Sequence, residues 1–566
     1  MSVAPRLRED ANACQPSLSL KVFVLIVAGA FLLRMYWLFA HTALICNEGG
    51  EYARTAENIL AGRGYFSILG VPQLYFPPLY PLLIALFSLL TRNSELAGRL
   101  VSLLAGTCLL LPCAGIAGRL YGRKVAYLCT VLVACHPLLI AFSTSVFSEG
   151  LFATLLMSAV YWTMRCLEVH KSRAQLLLAG VFWGLSYLTR PEAIIYAVAA
   201  AGMVFVVDLA SSRAPKKACL AIAWLILPLL LIGGPYVAYL SRSLGGFHFE
   251  AKSNVNYTIA QRLNSGMDAG QAEYGISRDL KQEGPLLNLN LYVPRSPYSK
   301  SLGAISRYVA VAARRNKDEL YRVILPAASL GSPFLLVLIV LGLLRKAWSL
   351  QRSLQEALLL LVVSVTVLIL LAAHEVTLRY IFPLLPFFLI WAGNGAHELG
   401  DWASSTAALL WPHRPSNTQR LAWILPYGMV AVILLTAALG FSHDRDSFWD
   451  DTPEFKTEKN AGLWLRTIEP DARVASSGTA IPYYAGAVWV PFPYADSSLA
   501  LKYIASKKPD FVVLTALRGL SLPYMENWIT HGIPDSRAKL IYESPNGVGE
   551  QVFVYSWSSK MAPTPN

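Results

Sequence analysis

Long apolar runs alternate with short polar segments over residues 22–440 of the chain. A helix needs about 20 mostly apolar residues to cross the hydrocarbon core of a membrane, and about eleven runs approach that length. The predicted transmembrane helices are residues 22–40, 97–117, 125–142, 149–166, 175–189, 193–210, 218–240, 325–344, 355–373, 380–396 and 421–440. The pattern therefore predicts an all-α polytopic membrane bundle.

The charges between the apolar runs predict how the chain is oriented. Residues 1–21 are polar, and the run that follows them is too long for a signal-peptide core and lacks a small-residue cleavage pattern, so we expect an uncleaved first helix and a cytoplasmic N-terminus. Lys and Arg then cluster in the short loops on the same face as that terminus, as the positive-inside rule requires. Three long segments fall on the outer face: residues 41–96, 241–322 and 441–566.

The last of these segments has the pattern of a small soluble domain. The predicted elements are helices at residues 454–467 and 497–507 and strands at residues 473–476, 511–514, 539–543 and 551–555. Strands that alternate with helices are typical of an α/β domain. We therefore predict a transmembrane domain over residues 22–440 and an α/β domain over residues 441–566.

Composition agrees with a membrane protein. Of the 566 residues, 55% are hydrophobic and 15% are charged, whereas about a quarter of the residues of soluble proteins are charged. The formal net charge is +13, but no Lys/Arg block alternates with aromatic residues as on a nucleic-acid-binding surface, so no nucleic-acid partner is expected. None of the eight cysteines follows Gly440, so the sequence predicts no disulfide framework in the tail.

The first outer segment carries the strongest candidate for a catalytic group. From Tyr52 onward, apolar residues recur at helical spacing opposite a polar face that includes Arg54, which predicts a short amphipathic helix in the membrane interface. Glu48 precedes this helix, and Gly49 and Gly50 leave room for a close approach to the backbone. A carboxylate at this position is suited to act as a base on a lipid-borne substrate.

Other ionisable residues are expected on the same face. Glu149 opens the fourth predicted span, Arg190 ends the fifth, and Arg379 follows His374 and Glu375 between the ninth and tenth. Ionisable residues at membrane boundaries are costly and often functional, and a guanidinium group matches the oxygen atoms of a lipid phosphate. Arg34, near the outer end of the first span, is expected to extend to the membrane surface rather than to bind a ligand.

Several of these segments resemble one family of membrane enzymes. The segments are Asn47-Glu48-Gly49-Gly50-Glu51-Tyr52-Ala53-Arg54, Phe76-Pro77-Pro78-Leu79-Tyr80-Pro81, Ser148-Glu149-Gly150-Leu151-Phe152, Leu188-Thr189-Arg190-Pro191-Glu192, and Arg379-Tyr380 with Pro383 and Pro386. Together with the soluble tail, they resemble the GT-C superfamily of integral-membrane glycosyltransferases. That superfamily includes protein O-mannosyltransferases, the lipid A aminoarabinose transferase and oligosaccharyltransferases.

The resemblance implies a reaction and the residues that perform it. In such families the acid just before the interfacial helix, usually Asp, is the catalytic carboxylate; here that position is Glu48, with Glu51 as the rival. The implied donor is a sugar on a polyprenyl phosphate, and the implied acceptor is a protein, a lipid or a polysaccharide. Glu149 would be a supporting acid, and Arg190 and Arg379 would bind the lipid phosphate.

The residues themselves are compatible with that chemistry. A sugar phosphate already has a good leaving group, so one base for the acceptor hydroxyl and cations for the departing phosphate suffice. A single displacement of this kind predicts inversion at the anomeric carbon. Neither a Cys pair nor a His-Glu-x-x-His spacing is present, so the residues predict no dedicated metal site. Some relatives carry a divalent metal on the loop acid, and the resemblance leaves such a cofactor open here.

Less specific interpretations compete with these assignments. Glu149 is placed to cap a helix N-terminus, Arg190 to satisfy carbonyl groups at a helix break, and Arg379 to extend into the interface.

A transporter or flippase for lipid-linked glycans is the alternative function, although no internal repeat is evident; a non-catalytic scaffold is another. By resemblance, the expected location is a bacterial inner membrane with a periplasmic active site and tail.

Overall fold

The computed structural model describes residues 19–40, 44–45, 48–168, 171–288, 309–318, 320, 333–345, 348–373, 376, 378–410, 415–443, 453–515, 522–544 and 551–557. Within these residues the chain forms a helical bundle followed by a small domain built around a β-sheet. The predicted fold class is therefore confirmed.

The helices up to the soluble domain have the following bounds. They are α1 (Leu20–Ala40), α2 (Glu48–Leu60), α3 (Leu79–Thr91), α4 (Ser94–Cys108), α5 (Leu110–Tyr121), α6 (Arg123–Cys135), α7 (Pro137–Phe142), α8 (Glu149–Cys166), α9 (Arg173–Tyr187), α10 (Ala193–Ser212), α11 (Pro215–Leu244), α12 (Lys252–Asn264), α13 (Ala269–Tyr274), α14 (Pro333–Leu344), α15 (Leu350–Ala372), α16 (Leu378–Ile381), α17 (Leu385–Leu410) and α18 (Pro415–His443). Short 3₁₀ helices cover Pro285–Asn288 and Phe382–Leu384, and residues 309–318 are also helical.

Six helical stretches of the described chain are long and apolar enough to cross a membrane, and each coincides with a predicted span. They are Leu20–Ala40, Ser94–Tyr121, Ala193–Ser211, Pro215–Leu244, Leu350–Ala372 and Ile424–Phe441. The other five predicted spans fall on α6 with α7, on α8, on α9, on α14 and on the start of α17, while residues 325–332 lie outside the described chain. The break between α6 and α7 falls at His136-Pro137, because the residue before a proline is disfavoured in the helical conformation.

Glycines let pairs of bundle helices approach closely. A Cβ atom on Gly180 of α9 would collide with the carbonyl oxygen of Leu225 in α11. One on Gly395 of α17 would likewise collide with the carbonyl oxygen of Leu338 in α14. Inside a membrane, where lipid is as apolar as the helices, such close backbone packing is a main source of helix association.

Arg34 does not reach the membrane surface, so that expectation is wrong. The side chain is 0% exposed and donates to the carbonyl oxygens of Val133 at 3.2 Å and Ala134 at 2.9 Å. These carbonyl groups lie in the last turn of α6, where no further turn of helix supplies a donor. Arg34 therefore ties α1 to the end of α6 and has a structural role.

The first outer segment contains two helices where the sequence predicted one. The helix expected from Tyr52 onward begins at Glu48, and the apolar helix α3 follows it. Leu89 and Leu90 of α3 are 65% and 84% exposed, as expected of side chains that face lipid. The predicted polar face of α2 is not solvated, because Arg54 is buried against the soluble domain.

The soluble domain is a five-stranded mixed sheet with helices on both faces. Its elements are α19 (Pro453–Ile468), β1 (Arg473–Ser476), α20 (Ala480–Ala485), β2 (Val488–Pro491), α21 (Ser497–Lys507), β3 (Phe511–Thr515), α22 (Met525–His531), β4 (Lys539–Glu543) and β5 (Val552–Ser556). The strand order is β2-β1-β3-β5-β4; β1 is parallel to β2 and β3, and β5 is antiparallel to β3 and β4. All five residues of β3 are buried, which a strand covered on both faces requires.

Candidate active site

Four of the five predicted site residues meet at one end of the bundle. Arg379 donates from Nη2 to the carboxylate of Glu48 and from Nε to that of Glu149. Arg190 donates from Nη1 to Glu149 Oε1 at 3.1 Å and from Nε to Glu192 Oε1 at 2.6 Å. The result is a chain of alternating negative and positive groups, with the fully buried carboxylate of Glu149 near its centre.

The ends of separate helices place these side chains. Glu48 is the first residue of α2 and Glu149 the first residue of α8, and a helix N-terminus stabilises a negative charge. Arg190 lies in the turn between α9 and α10, where Pro191 follows it. Capping alone does not explain Glu149, because one of its oxygen atoms accepts hydrogen bonds from two arginines. Among the described residues, its other oxygen, Oε2, accepts none.

Tyr52 links Glu48 to Ser148, the residue before Glu149. Its hydroxyl group donates to Glu48 Oε2 at 3.3 Å and lies 3.1 Å from Ser148 Oγ. The ring packs edge-on against Phe76 and Tyr80, with centroid distances of 4.9 and 5.0 Å. Because Tyr52 is one turn after Glu48 on α2, this contact fixes the rotation of the helix and with it the direction of the Glu48 side chain.

Aromatic rings hold the two arginines in place. The Cζ atom of Arg379 lies 4.7 Å from the centroid of the Phe147 ring. That of Arg190 lies 5.6 Å from the Phe152 ring and 5.9 Å from the Tyr380 ring. A guanidinium group stacked on a ring loses less freedom when it binds a further anion, so the site is suited to an anionic ligand.

The neighbouring charges keep Glu48 ionised. Burial opposes its ionisation, but the positive charges of Arg379, Lys252 and Arg190 and the hydrogen bond from Arg379 outweigh burial and lower the pKa of Glu48 to about 2. A carboxylate with such a low pKa is available as a proton acceptor at any physiological pH. It is also a weak base until something reduces the positive charge around it.

Glu51, the rival for the catalytic role, lies in a different environment. Its Oε2 atom accepts from the backbone amide of Ile68 at 3.1 Å and from the side chain of Gln73 at 3.3 Å. Burial raises its pKa to about 7, helped by the nearby charge of Glu48 and opposed by these hydrogen bonds. Within the described chain Glu51 pairs with neither Arg190 nor Arg379, so the geometry favours Glu48.

The two glycines after Glu48 face protein rather than an open site. A Cβ atom on Gly49 would lie 2.9 Å from the carbonyl oxygen of Val146, and one on Gly50 would lie 2.9 Å from Thr479 Oγ1. Thr479 belongs to the soluble domain, at the start of α20. The close approach that the glycines indicate is therefore made by two other parts of the chain.

A cavity of about 190 Å³ opens beside Arg190. Its polar end includes Arg190 and Lys252 together with Glu192 and Glu250, and its wall on the bundle side is apolar. That wall is formed by residues of α10 and α15, namely Ile194, Ile195, Ile369 and Leu370. Ile195 is also 49% exposed on the outside of the bundle, so the cavity lies next to the lipid-facing surface.

Lys252 is a site residue that the sequence did not indicate. It is the first residue of α12, in the second outer segment, and its Nζ atom lies 5.5 Å from the centroid of the Tyr75 ring. Burial lowers its pKa, although the charge of Glu48 opposes this. Among the described residues no carboxylate forms an ion pair with it. Lys252 lies in a polar segment without periodicity, and only the fold brings it to Arg190.

The described residues do not offer a conventional metal site. No group of three His, Cys, Asp or Glu side chains lies close enough together there to hold an ion. Glu48 and Glu149 are the two acids that a divalent metal would use, and Arg379 already lies between them. His374 and Glu375 lie outside the described residues. We therefore derive no step through a metal.

Comparisons with known proteins agree with the resemblance noted in the sequence. The family model for dolichyl-phosphate-mannose-protein mannosyltransferases matches residues 76–232, a range that includes Glu149 and Arg190 but neither Glu48 nor Arg379. No curated protein sequence matches the chain.

Solved structures match over almost the whole chain. ArnT from Cupriavidus metallidurans bound to undecaprenyl phosphate is 12% identical with a TM-score of 0.57, and the match covers 97% of this chain and 100% of ArnT. The oligosaccharyltransferase AglB from Archaeoglobus fulgidus, in complex with an inhibitory peptide and a dolichol-phosphate, is 15% identical with a TM-score of 0.58, and the match covers 96% of this chain and 75% of AglB. The chain has the GT-C fold. The resemblance inferred from the sequence is confirmed, and the matched family and the structural neighbours are glycosyltransferases.

Proposed function

We propose that this GT-C protein is a glycosyltransferase that moves a sugar from a polyprenyl-phosphate donor to an acceptor on the outer face of a bacterial inner membrane. The observation that carries the proposal is the position of the charged cluster beside a cavity that has Arg190 and Lys252 at its polar end and an apolar wall. A polyprenyl phosphate has those two parts in the same order. Two structural neighbours of the protein support the donor class, since ArnT was solved with undecaprenyl phosphate and AglB with dolichol-phosphate.

The donor phosphate would lie between Arg190 and Lys252, with Arg379 on the side of Glu48. Lys252 has no carboxylate partner among the described residues, so its charge is available to an incoming phosphate. The arginines contribute directed N–H groups, which match phosphate oxygens better than a single ammonium group does. The first isoprene unit would follow the wall of α10 and α15 towards lipid. The cavity of about 190 Å³ would take the phosphate end of the donor.

Glu48 would be the base of a single displacement. The acceptor hydroxyl gives its proton to a Glu48 oxygen while its own oxygen forms a bond to the anomeric carbon. The bond from that carbon to the phosphate oxygen breaks, and its electron pair leaves with the lipid phosphate, where Arg190 and Lys252 stabilise the added charge. Because the acceptor enters opposite the leaving group, the product has inverted configuration.

Donor binding would also activate the base. In the absence of a donor, Arg379 and Lys252 hold the pKa of Glu48 far below the range in which a carboxylate accepts protons readily. A phosphate that binds these cations shares their charge and adds its own, and both effects raise the pKa of Glu48. Glu149 would keep Arg379 in place during this exchange, as a supporting acid.

The outer location rests on the charge pattern and on one structural fact. The soluble domain contacts both α2 and the second outer segment: Arg54 donates to the carbonyl oxygen of Tyr483 at 2.8 Å, and Lys507 pairs with Glu283 at 2.6 Å. These parts therefore lie on the same side of the bundle as Glu48. The basic loops lie between the other ends of the helices, which favours the outer face for the site.

The direct test compares the cell-envelope glycans of cells with and without the gene by mass spectrometry. Transferase activity predicts loss of one glycosylated product and a build-up of the sugar on polyprenyl phosphate in the outer leaflet. If the protein were a flippase, cells without the gene would accumulate the donor in the inner leaflet. If it were a scaffold, the amounts of glycosylated product and of lipid-linked sugar would not change. Either of those results contradicts the proposal.

A further inference from the structure

The turn of α2 that bears Glu48 is enclosed between two parts of the protein. Gly49 packs on the carbonyl oxygen of Val146, just before α8. Gly50 packs on Thr479 of the soluble domain, where an added Cβ atom would lie 2.9 Å from Oγ1 and 3.1 Å from the threonine Cβ atom. A side chain at residue 50 therefore requires α2 and the soluble domain to move apart by several tenths of an ångström.

A second contact runs through the backbone of Ile68. Its amide donates to Glu51 on the first turn of α2 at 3.1 Å, and its carbonyl oxygen accepts from the amide of Trp489 in strand β2 at 2.9 Å. Ile68 is 1% exposed. Edge strand β2 of the soluble sheet is thus linked to the helix that carries the proposed base.

The third contact is made by Arg54, one turn further along α2. Its Nη2 atom donates to the carbonyl oxygens of Tyr483 at 2.8 Å and Pro482 at 3.2 Å, within the short helix α20. Its Nη1 atom pairs with Glu57 at 2.9 Å. Arg54 is 7% exposed, and a buried guanidinium group with such partners is costly to displace.

From these three contacts we infer that the soluble domain is a positioning element for Glu48, and that the fit of Gly50 against Thr479 sets the distance between the base and the donor site. The inference rests on the proposed function, because it assumes that Glu48 is the base. The domain itself contributes no group to the charged cluster among the described residues. Its effect is on turnover, since the donor would be bound by Arg190 and Lys252, and among the described residues neither side chain forms a hydrogen bond or ion pair with the soluble domain.

The test is a pair of substitutions that complement each other sterically. Gly50→Ala adds the Cβ atom that meets Thr479, and Thr479→Gly removes both atoms that it meets. In cells that lack the original gene, G50A should lower the amount of glycan product by about tenfold or more, because misplacing a reacting group by a fraction of an ångström to 1 Å costs up to about 10²-fold. The G50A/T479G double variant should recover most of the product, and T479G alone should lose less product than G50A, because it leaves a gap rather than a collision.

Binding is measured separately on the purified full-length variants. Undecaprenyl phosphate is the probe, and its stabilising effect on the melting temperature reports occupancy of the donor site. G50A should keep this effect while its product falls. Arg54→Lys should behave in the same way, because lysine cannot reach both carbonyl oxygens as the guanidinium group does. This variant replaces G50A in the test if G50A fails to accumulate. Arg63→Ala is the control: Arg63 joins the same two regions through Asp471 at 3.3 Å, but both side chains are exposed, so product should not change.

Glu48→Gln is measured in the same experiment to separate this inference from the proposed function. Loss of product in E48Q with normal product in G50A and in R54K overturns the positioning role and leaves Glu48 as the base. Normal product in E48Q overturns the base itself. Failure of the double variant to recover product, at normal membrane level and with normal undecaprenyl phosphate binding, also contradicts the inference.

Discussion

Two clusters of buried charge lie near opposite ends of helix α15. At one end, Arg352 pairs with Glu356 at 3.5 Å on the same helix, with the two side chains 6% and 0% exposed. At the other end, Arg379 joins Glu48 and Glu149 beside the cavity that Ala373 helps to line. Glu356 and Ala373 are 17 residues apart (373 minus 356), which is about 25 Å along a helix.

The two clusters contain the same kinds of residue but differ in how fully their charged groups are enclosed. Both oxygen atoms of Glu356 accept hydrogen bonds, one from the hydroxyl group of Tyr121 and the other from the indole of Trp391 at 3.0 Å. In the outer cluster, Glu48 and Arg379 are each 19% exposed, and Arg190 lines the neighbouring cavity. A closed cluster of charges fixes helices, whereas an open one beside a cavity has capacity left for a ligand.

The largest effect should follow from Arg379→Gln, which removes the residue that pairs with both Glu48 and Glu149 and is proposed to face the donor phosphate. Loss of one preorganised cation that stabilises a leaving group costs about 10²–10³ in rate, so product should fall by that factor while the protein still accumulates. Sugar transfer is measured by mass spectrometry at equal membrane level. The control is Arg345→Gln, which removes an arginine from a more exposed pair with Glu398 and should leave transfer intact. Equal transfer by both variants would contradict the role of Arg379.

The closed cluster should respond in stability and not in chemistry. Glu356→Gln leaves the buried charge of Arg352 without its counter-charge, which costs about 3 kcal/mol, so the melting temperature of the detergent-purified protein should fall. Transfer per folded molecule should stay at the wild-type level. A selective loss of transfer, with the melting temperature unchanged, would mean that the two clusters do not differ as described.

Lys252→Gln should weaken the donor site by a smaller amount. Removal of one ammonium contact should weaken binding of undecaprenyl phosphate about tenfold, which corresponds to about 1.4 kcal/mol. The turnover at saturating donor should also fall, but by less than in R379Q, because Lys252 helps to stabilise the departing phosphate while Arg190 and Arg379 remain in place. Lys502→Gln, on the exposed face of α21, is the matched control. If K252Q binds undecaprenyl phosphate as tightly as the wild type, Lys252 does not contact the donor phosphate.

The smallest effect should be that of pH on the intact protein. Glu48 acts as a base only when ionised, so activity falls as the pH drops through its pKa, which is lowered to about 2. The dependence of kcat/KM on pH should therefore show no acidic limb from Glu48 between about pH 5 and pH 8, since that profile reports the free enzyme. In the residual activity of R379Q this limb should move to higher pH, because the strongest positive neighbour is gone. If the acidic limb of R379Q lies at the same pH as that of the wild type, Arg379 does not control the pKa of Glu48.

Much of the fold could be predicted from local sequence patterns. Apolar runs of sufficient length gave the bundle, and in the tail the predicted strand at residues 473–476 and helix at residues 497–507 have the bounds that the structure shows. Strand β2 was missed because four residues that end in a proline carry little period-2 signal. Helix α3 was missed because its 13 residues, although mostly apolar, are too few for a predicted span and were assigned to the outer segment.

The candidate site was predictable where a single residue conflicts with its surroundings. Glu149, Arg190 and Arg379 stand out because charges at the ends of apolar runs are costly. Lys252 and Arg54 do not, since each lies in a polar stretch where a charge is unremarkable. The burial of Arg54 depends on Tyr483, more than 400 residues away in the chain, and no local pattern contains that contact.

The most direct test of the central claim compares Glu48→Gln with Glu51→Gln at equal membrane levels, with glycan product as the readout. Gln at residue 51 still accepts the hydrogen bond from Ile68, so E51Q should keep most of its transfer. E48Q should lose about 10²-fold or more, the contribution expected of a positioned base. Full transfer by E48Q, or loss of transfer confined to E51Q, would contradict the assignment of Glu48 as the base.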